Sequence, residues 1–336
     1  MRITEAGFTI LPTPHRQDEI LKHIERCGRV CYKSEDKITE DSAQQFVANI
    51  IKRGHEAVLE HGSLCVRMPQ SIKYNSLLPA METGRWYAMA IFGMECRCEG
   101  GTPYRNYLRF FYDDDNSPVI SGNVRAWRAF FEACRKLFVE IPREFRPLIQ
   151  LNPVLLGQFL PDVVKRGEIT SYVVWPEHLC ASARLVHQDV SVLFKVDRGI
   201  SHEIVRHRLA SYCQESTRYC DYSAGRFGGE ITVIEPKALR HTPGYKIWMD
   251  SCRRAETAYF DLLDCGCSPQ EARGVLPNSL KTEIVMTANL AEWRHFFQLR
   301  TSRAAHPQMR EVAIPLLREF KKRDPENFGD IQEDKA

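Results

Sequence analysis

The feature that most restricts the fold of this chain is a change of hydrophobic period after residue 189. Alternating apolar residues predict a half-buried strand over residues 190–196, and Asp197-Arg198-Gly199 then supplies a turn. Residues 200–209 follow with the spacing of a short helix, whose inward residues are Ile200, Ile204 and Val205. Because the strand, the turn and the helix follow one another directly, they fix where the next segment of the chain lies.

An arginine-rich segment occupies that position. Residues 206–219, RHRLASYCQESTRY, combine three arginines and a histidine with hydroxyl and amide side chains. A guanidinium grips a phosphate or a planar carbonyl at two points and stays charged at any working pH. A solvated basic helix end would explain the arginines alone, because cations favour a helix C-terminus. The neighbouring Ser211, Gln214 and Ser216 favour a pocket for a phosphorylated small molecule.

Composition excludes several classes of protein. The 336 residues are 43% hydrophobic and carry 46 basic against 43 acidic side chains, a net charge of +3. A sizeable core is possible, and the near-neutral balance argues against a general nucleic-acid coat. No apolar run approaches the ~20 residues that span a bilayer, and no signal-peptide pattern follows Met1. We expect a cytoplasmic protein without a membrane partner, in which the twelve cysteines remain thiols.

Two groups of residues could be mistaken for metal ligands. The cysteines form no pair of C-x-x-C knuckles, so we expect no metal site from them. His55, Glu60 and His61 lack the H-E-x-x-H pattern, and the two histidines lie on either side of a helix-to-strand break. These histidines are either satisfied structural residues or, in the case of His55, a ligand contact.

The same periodicities predict the other regular elements. Helices are expected over residues 18–28, 40–53, 126–140, 247–264, 269–273, 291–300 and 307–322, and further strands over 64–68 and 282–288. Gly54 stands where a helix C-cap belongs, and Asn289 where an N-cap belongs. Residues 66–185 are less regular, rich in aromatic residues and broken by prolines.

A second set of candidate residues lies in the last third of the chain. Arg273 ends a helix before Gly274 and Pro277, so a stiff turn can aim its side chain. Arg300 lies three turns along the helix that Asn289 opens. Taken alone, these residues fit an N-cap and a solvated arginine better than they fit a binding site. The chain has no hydrolase-type Ser-His-Asp order, no G-x-G-x-x-G after a strand and no P-loop.

Together these segments resemble the flavin-dependent thymidylate synthases. The hallmark of that family, R-H-R followed after seven residues by Ser, stands here at Arg206-His207-Arg208 and Ser216. The resemblance includes Cys31-Tyr32-Lys33-Ser34, Gly54-His55 with Glu60-His61, the R-G-V-L-P run at 273–277, and the interval between Asn289 and Arg300. It covers residues 25–65 and 185–320.

The resemblance implies an α/β (α+β) fold with a central, mainly antiparallel sheet flanked by helices. Residues 1–65 and 186–325 would form a discontinuous core. Residues 66–185 would be a large, mostly helical insertion, which makes this an enlarged member, and residues 326–336 a polar tail. The role of the insertion stays open.

The resemblance also implies the reaction: reductive methylation of dUMP to dTMP, with methylenetetrahydrofolate as carbon donor, FAD as hydride carrier and NADPH as reductant. The protein would be a homotetramer whose active sites are shared between subunits, with no nucleic-acid partner. The residues that would hold dUMP are Glu203, Arg206, Gln214, Ser216, Arg218, Arg273 and Arg300. Those that would hold FAD are His55, Ala57, His207, Arg208, Asn289 and His295.

Within this resemblance Arg300 is the catalytic residue, because a cation facing the uracil ring stabilises its N3-deprotonated form and makes C5 more nucleophilic. Ser216 resembles a nucleophile by position only and would bind ligand. Gln214 stands where many members carry Glu, and Ala57 replaces a hydroxyl found in some. These departures put ligand affinity in question more than the reaction.

Two other hypotheses remain. A nucleotide- or RNA-binding module could use the same arginines on phosphates, with Tyr212, Tyr219 and Tyr222 as stacking groups. A degenerate homologue kept for assembly is disfavoured because all of the candidate arginines are present. For the enzyme, Arg206, Arg273 and Arg300 are expected to converge on one nucleotide, within a subunit or between neighbouring subunits.

Overall fold

The computed structural model of the chain describes residues 1–70, 108–136, 140–141, 143–163, 165 and 171–333, and of Arg226 only the backbone. Its strands are β1 Arg2–Thr4, β2 Gly7–Ile10, β3 Ser63–Arg67, β4 Arg109–Tyr112, β5 Pro118–Asn123, β6 Tyr172–Val173, β7 Asp189–Asp197, β8 Ser211–Gln214, β9 Thr232–Ile234 and β10 Lys281–Asn289. Its α-helices are α1 Gln17–Tyr32, α2 Ser42–Lys52, α3 Val124–Lys136, α4 Arg146–Leu151, α5 Pro153–Leu156, α6 Ala181–His187, α7 Arg198–Ile204, α8 Pro243–Asp264, α9 Pro269–Ala272, α10 Leu290–Arg300, α11 Pro307–Arg323 and α12 Pro325–Phe328. The chain therefore has the predicted α/β architecture.

The central sheet has four antiparallel strands in the order β2-β7-β10-β8. Strands β7 and β10 pair along their whole length, so the end of one lies beside the start of the other. Helices α7 and α10, which follow these strands, consequently begin at opposite ends of the sheet. Helix α10 has 11 residues and runs back by about 16 Å, which brings its last residue towards α7.

Helices cover both faces of this sheet. On one face Val192, Phe194 and Met286 pack against α7, α10 and α11. On the other face Cys213 and Val285 join the core formed by α1, α2 and the insertion. Strand β7 has one mostly buried face, as its alternation predicted, and a second face that is covered only in part. The buried polar residues of the second face are paired inside the protein, as Ser191 is with His23 at 2.8 Å.

The described part of the insertion contains more helix than strand, and it also builds a second sheet. Strands β4, β5 and β6 combine with β3 in the antiparallel order β4-β5-β3-β6, so the predicted boundary at residue 65 falls inside a strand. Trp127 of α3 joins the core cluster of α1 and donates its indole N–H to the carbonyl of Leu64 at 3.1 Å. Arg109 binds Asp189 at 2.7 and 2.6 Å. The insertion is therefore packed directly onto the central sheet.

Most predicted elements are confirmed, with bounds that differ by a few residues. Gly54 has the left-handed φ of 69° that its cap position requires. The helix predicted over 200–209 is wrong in extent, since α7 ends at Ile204. The amides of Arg206 and His207 instead bond the carbonyls three residues back, at 3.3 and 3.2 Å, in a tightened final turn.

Some sequence features fall outside the described residues. They include Tyr74, Trp86, Tyr87, Tyr104, Tyr107 and Leu137, as well as the end of the predicted polar tail. In the parts of the chain that the structure describes, no helix is both long enough and apolar enough to cross a membrane.

Candidate active site

The R-H-R motif lies in the turn that follows α7, and this turn separates its side chains. Arg206 and Arg208 are exposed, whereas His207 is buried. The hydroxyl of Tyr212 lies 2.8 Å from the carbonyl of Ile204 and 2.6 Å from that of His207, so it provides a donor for the open end of the helix. The turn thus places two cations at the surface and the imidazole inside.

The imidazole of His207 lies in a cluster that also contains Glu203, Glu292 and Arg300, called the Arg300 cluster below. Arg300 donates from Nε to His207 Nε2 at 3.0 Å, and its terminal nitrogens bind the carboxylate and carbonyl of Glu203 at 2.9 and 3.0 Å. His207 Nδ1 lies 3.2 Å from the carboxylate of Glu292. Because arginine can only donate, Nε2 of His207 must accept, and Nδ1 therefore carries the proton towards Glu292.

This tautomer affects whether the cluster could hold a metal ion. His207, Glu292 and His295 offer ligand atoms within 4.8 Å of one another. Both ring nitrogens of His207 are already used, one by Arg300 and one by Glu292. The rings of Phe296 and His295 lie 4.9 and 5.7 Å from the His207 ring, centroid to centroid, and close its remaining sides. The geometry fits a fixed hydrogen-bonded imidazole better than a metal ligand.

A second group of candidate residues lies beyond strand β8, in residues 215–219, called the Ser216 loop below. The amide of Ser216 donates to the carbonyl of Cys31 at 3.1 Å, which ties the loop to the end of α1. Arg273 contacts the hydroxyl of Thr217 at 3.5 Å. The guanidinium of Arg218 lies over the ring of Tyr219 at 5.5 Å. Arg218 and Arg273 are both exposed, and the Ser216 hydroxyl accepts from the backbone amide of Arg218 at 3.3 Å.

Gln214 and Glu215 are adjacent in sequence but have different roles. The amide nitrogen of Gln214 lies 2.9 Å from the hydroxyl of Ser201 and 3.2 Å from that of Thr282, which leaves its carbonyl oxygen to accept from a ligand. Glu215 is buried and binds Lys281 at 2.8 Å. Its carboxylate is therefore committed to the interior of the protein.

Beside this pair lies a second half-buried charge pair, Lys33 with Glu283. Burial disfavours the charge of each, yet the partner's charge and hydrogen bond dominate. The pKa of Lys33 is consequently raised and the pKa of Glu283 is lowered. The end of α1 is thus held against β10 by charges that persist at neutral pH.

The G-H…E-H element forms the 3-10 helix Glu56–His61, which packs beside β8. His55 and Ala57 are exposed at its start, and His55 Nδ1 lies 3.5 Å from the hydroxyl of Tyr32. The ring of Tyr32 lies 5.6 Å from that of Tyr219, so His55 adjoins the Ser216 loop. His61 is the structural histidine of the two, since it is buried and lies 2.7 Å from the hydroxyl of Thr287.

Asn289 caps α10 as predicted. Its side-chain oxygen accepts from the amide of Glu292 at 2.9 Å, and its amide nitrogen donates to the carbonyl of Val186 at 3.2 Å. One N–H and one lone pair remain for a ligand. Because Asn289 and Arg300 lie at opposite ends of α10, they are about 16 Å apart along the helix axis.

Within one chain, the predicted site residues therefore fall into separate groups. Glu203, His207 and Arg300 are in direct contact, and Arg273 lies with the Ser216 loop. The four residues of β8 separate these two groups by about 13 Å of strand. No hydrogen bond or ion pair among the described residues joins Arg273 to Arg300.

Sequence reasoning did not identify Glu292, and it did not predict the contacts that Tyr212 and Tyr32 make. Glu292 had a signal, because an N-cap residue followed three positions later by Glu has the spacing of a capping box. In the structure its side chain turns to His207 instead. The hydroxyl contacts of Tyr212 and the ring contact of Tyr32 join distant segments, so no local pattern predicts them.

The chain is similar to known proteins over its second half. A family model described as "Thymidylate synthase complementing protein" matches residues 181–326. The flavin-dependent thymidylate synthase of Pyrococcus furiosus is 36% identical over 128 residues, which are 38% of this chain and 52% of that protein. The enzyme of the same name from Geobacter sulfurreducens is 35% identical over 135 residues, 40% of this chain and 57% of that protein. The one from Corynebacterium glutamicum is 31% identical over 168 residues, 45% of this chain and 65% of that protein.

The match of the family model agrees with the resemblance over residues 181–326. The chain spans between about half and two thirds of the length of these relatives. The resembling segment at residues 25–65 lies outside the matched range of the family model. The R-H-R motif, the Ser216 loop, Arg273 and Arg300 lie inside it.

Proposed function

We propose that this chain is a flavin-dependent thymidylate synthase and converts dUMP to dTMP; the match of the family model to residues 181–326 supports this. The carbon donor would be methylenetetrahydrofolate, with FAD as hydride carrier and NADPH as reductant. The observation that carries the proposal is the contrast between the arginines. The guanidinium groups of Arg206 and Arg208 make no hydrogen bond or ion pair to described residues, whereas the guanidinium of Arg300 is fixed by Glu203 and His207.

The exposed arginines suit the phosphate of the nucleotide. Arg206, Arg218 and Arg273 are each exposed, and Ser216 lies in the loop that Arg273 contacts through Thr217. Bidentate cations combined with a hydroxyl donor are the usual partners of a phosphate monoester. We assign this group, with Gln214 as an acceptor for the base or sugar, to dUMP.

The fixed arginine suits the pyrimidine ring. Arg300 uses three of its five N–H groups inside the protein, on His207 and Glu203. One N–H on each terminal nitrogen is left for a ligand. Two parallel donors held in place can stabilise the negative charge that develops over N3 and O4 of the uracil, without reorganising during the reaction.

The donor set also fits FAD, whose pyrophosphate needs cations and whose ring needs hydrogen-bond donors. Exposed Arg208, His55 and His295 supply cationic or donor groups, and Asn289 retains one N–H. Bound FAD would supply the hydride chemistry, which no side chain of the chain can provide. The residues of this chain then have one task, which is to align the ligands.

An active site shared between subunits would bring together the Arg300 cluster and the Ser216 loop. Val205, Tyr219 and Leu299 each adjoin a predicted dUMP residue, yet they are 40%, 57% and 48% exposed. Apolar side chains at such positions are covered when a second subunit packs on them. We therefore propose a homotetramer in which the Arg300 cluster of one subunit faces the Ser216 loop of another.

The RNA-binding alternative has less support. It needs stacking aromatics between the arginines, but Tyr222 is buried and Tyr212 commits its hydroxyl to the end of α7. Only Tyr219 of the three is well exposed. A single platform suits one nucleotide better than an extended strand.

The described cysteines all carry free thiols, which agrees with a cytoplasmic location.

The decisive experiment uses the purified protein. We expect a yellow protein, NADPH oxidation that depends on added dUMP, and release of tritium from dUMP labelled at C5. Arg300→Ala should lower tritium release about 100- to 1,000-fold while the yellow colour stays. Arg253→Ala, which removes an exposed arginine of α8, should leave the rate unchanged.

Two results would contradict the proposal. A colourless protein that does not take up added FAD would exclude the flavoenzyme. Salt-sensitive binding of oligonucleotides by such a protein would favour the RNA-binding alternative. A bleached Arg300→Ala protein would show that Arg300 holds the flavin rather than the uracil.

Mixing two inactive variants tests the shared site. If Arg300→Ala and Arg218→Ala subunits are unfolded together and refolded as mixed tetramers, some sites receive both intact arginines and activity returns. Sites built within one subunit would stay inactive in every mixture. The unmixed variants, treated identically, are the controls.

A further inference from the structure

Helix α3 of the insertion packs against the 3-10 helix Glu56–His61 and contacts both of its ends. The amide of Val124, the first residue of α3, donates to the carbonyl of Gly62 at 2.8 Å. One turn further along α3, Arg128 is buried and donates to the carboxylate of Glu56 at 3.2 Å. The insertion therefore fixes the 3-10 helix where it begins and where it ends.

An ion pair between Arg125 and Glu60 lies between these two contacts. A terminal nitrogen of Arg125 donates to one carboxylate oxygen of Glu60 at 2.5 Å, and the hydroxyl of Ser211 in β8 donates to the other at 2.9 Å. The side chain of Arg125 is 51% exposed and that of Glu60 only 12%. One carboxylate thus joins the insertion to the strand that follows the R-H-R motif.

The side of the 3-10 helix that does not face α3 or the core is open to solvent. Its buried residues are Val58, Leu59 and His61. His55 and Ala57 are exposed. Because a 3-10 helix rises about 2 Å per residue, the Cα atoms of Glu56 and Glu60 lie within about 6 Å of that of Ala57 along the axis. This is less than the Debye length of about 8 Å in physiological salt, so both carboxylates act on a charged ligand bound there.

We propose that Arg125 is a positioning residue for FAD, which neutralises and orients Glu60 so that the insertion holds the 3-10 helix ready for an anionic cofactor. The inference rests on the proposed function, which assigns His55, Ala57 and Arg208 to FAD. The pyrophosphate of FAD is an anion, and an unpaired Glu60 carboxylate would repel it. Pairing with Arg125 removes that repulsion, which gives the insertion a role in cofactor binding.

Titration of the flavin-free, full-length protein with FAD, followed by flavin fluorescence, measures the affinity. Arg125→Ala should weaken FAD binding about tenfold at low salt, and by less at high salt, where the carboxylate is screened. Arg125→Lys keeps the positive charge and should restore most of the affinity. A loss of packing alone would show neither the salt dependence nor the rescue.

Arg135→Ala is the matched control. Arg135 lies on the same helix, about 15 Å from Arg125 along its axis, and it is likewise paired with a carboxylate, that of Asp162 at 2.6 Å. Its removal takes the same charge from α3 but leaves the 3-10 helix untouched. FAD affinity should stay at the parental level, and an equal loss in both variants would overturn the proposal.

A double variant shows whether Arg125 acts through Glu60. Glu60→Gln removes the negative charge and keeps an oxygen that can accept from Ser211. In that background Arg125→Ala should no longer weaken FAD binding, because no carboxylate remains to be neutralised. A full loss of affinity in the double variant would overturn the proposal, since Arg125 would then contact the cofactor itself. Parental affinity in the single Arg125→Ala variant would overturn it as well.

Hydrogen exchange separates this inference from the proposed function, because it needs no ligand. Arg125→Ala should speed the exchange of amides in residues 55–62 and leave that of α11 unchanged. Unfolding in urea should change little, because Arg125 is half-exposed. Parental exchange in residues 55–62 would contradict the positioning role. If the parent protein binds no FAD, the proposed function fails, and the exchange result alone decides whether Arg125 orders this segment.

Discussion

His207 illustrates how one buried side chain is given a single chemical state. Its Nε2 faces a permanent donor, Arg300, and its Nδ1 faces a carboxylate, Glu292. The imidazole therefore links Glu292, in the first turn of α10, to Arg300, the last residue of the same helix. A residue that fixes the orientation of Arg300 in this way would control how its free N–H groups meet a ligand.

Replacing Glu292 tests this arrangement. Glu292→Ala leaves the buried Nδ1–H of His207 without an acceptor, and we expect the free energy of unfolding to fall by about 1–3 kcal/mol in urea titrations. Glu292→Gln keeps an oxygen acceptor and should cost less. Equal losses for the two variants would show that the hydrogen bond to His207 contributes little.

Gly28 shows how helix packing can overrule helix propensity. It lies in α1, where alanine would favour the helix by about 1 kcal/mol. A Cβ at this position would meet Val58 Cγ1 at 2.7 Å and Phe46 Cζ at 2.8 Å. The glycine thus permits the close contact between α1, α2 and the 3-10 helix that carries His55.

We expect Gly28→Ala to destabilise the protein by about 1–3 kcal/mol despite the gain in propensity. Gly225→Ala is the matched control, because nothing lies within 4 Å of its Cβ position and it should be neutral or slightly stabilising. Chemical denaturation of the two variants measures the change in the free energy of unfolding for each. A stabilised Gly28→Ala protein would mean that Val58 and Phe46 move aside without cost.

The N-cap residue of α10 makes hydrogen bonds both within that helix and to a neighbouring helix. Asn289 bonds the amide of Glu292 and the carbonyl of Val186, so it holds α10 to α6 as well as starting it. Asn289→Ala should lower stability by about 1 kcal/mol or more, whereas Asn289→Asp should keep the cap. Thermal melts of both variants measure this. No difference between them would assign the loss to the bond with Val186.

Across the whole protein, buried histidines make stability depend on pH. Burial lowers the pKa of His23 to about 4, and of His61 and His187 to about 3, from the ordinary value of 6.5. Between these values the unfolded chain binds protons that the folded protein does not. The contribution of these histidines to the free energy of unfolding should therefore decrease as pH falls from 6.5 and level off below about 3.

Urea unfolding at several pH values checks this expectation. His61→Gln should be less stable at pH 7 and show a shallower dependence between pH 7 and pH 5, because one proton-linked group is gone. His178→Gln, which removes an exposed histidine, should keep the slope of the parent protein. An unchanged slope in His61→Gln would mean that other groups dominate the acid response.

The strands, the long helices and the positions of the charged motifs could be predicted from the sequence because each depends on local spacing. The alternation in β7, the apolar face of α3 and the caps at Gly54 and Asn289 all have this origin. The resemblance to a family rests on the same linear order of motifs. None of these signals contains information about distance between segments.

Tertiary structure decided which of the charged groups are free to act. Arg206 and Arg300 look alike in the sequence, but packing leaves the first in solvent and pairs the second with Glu203 and His207. Likewise, only the meeting of α1 with the Ser216 loop brings the amide of Ser216 to the carbonyl of Cys31. The residue type determines a side chain's charge and hydrogen-bonding capacity. Its partners, however, depend on which distant segments the burial of apolar surface brings together.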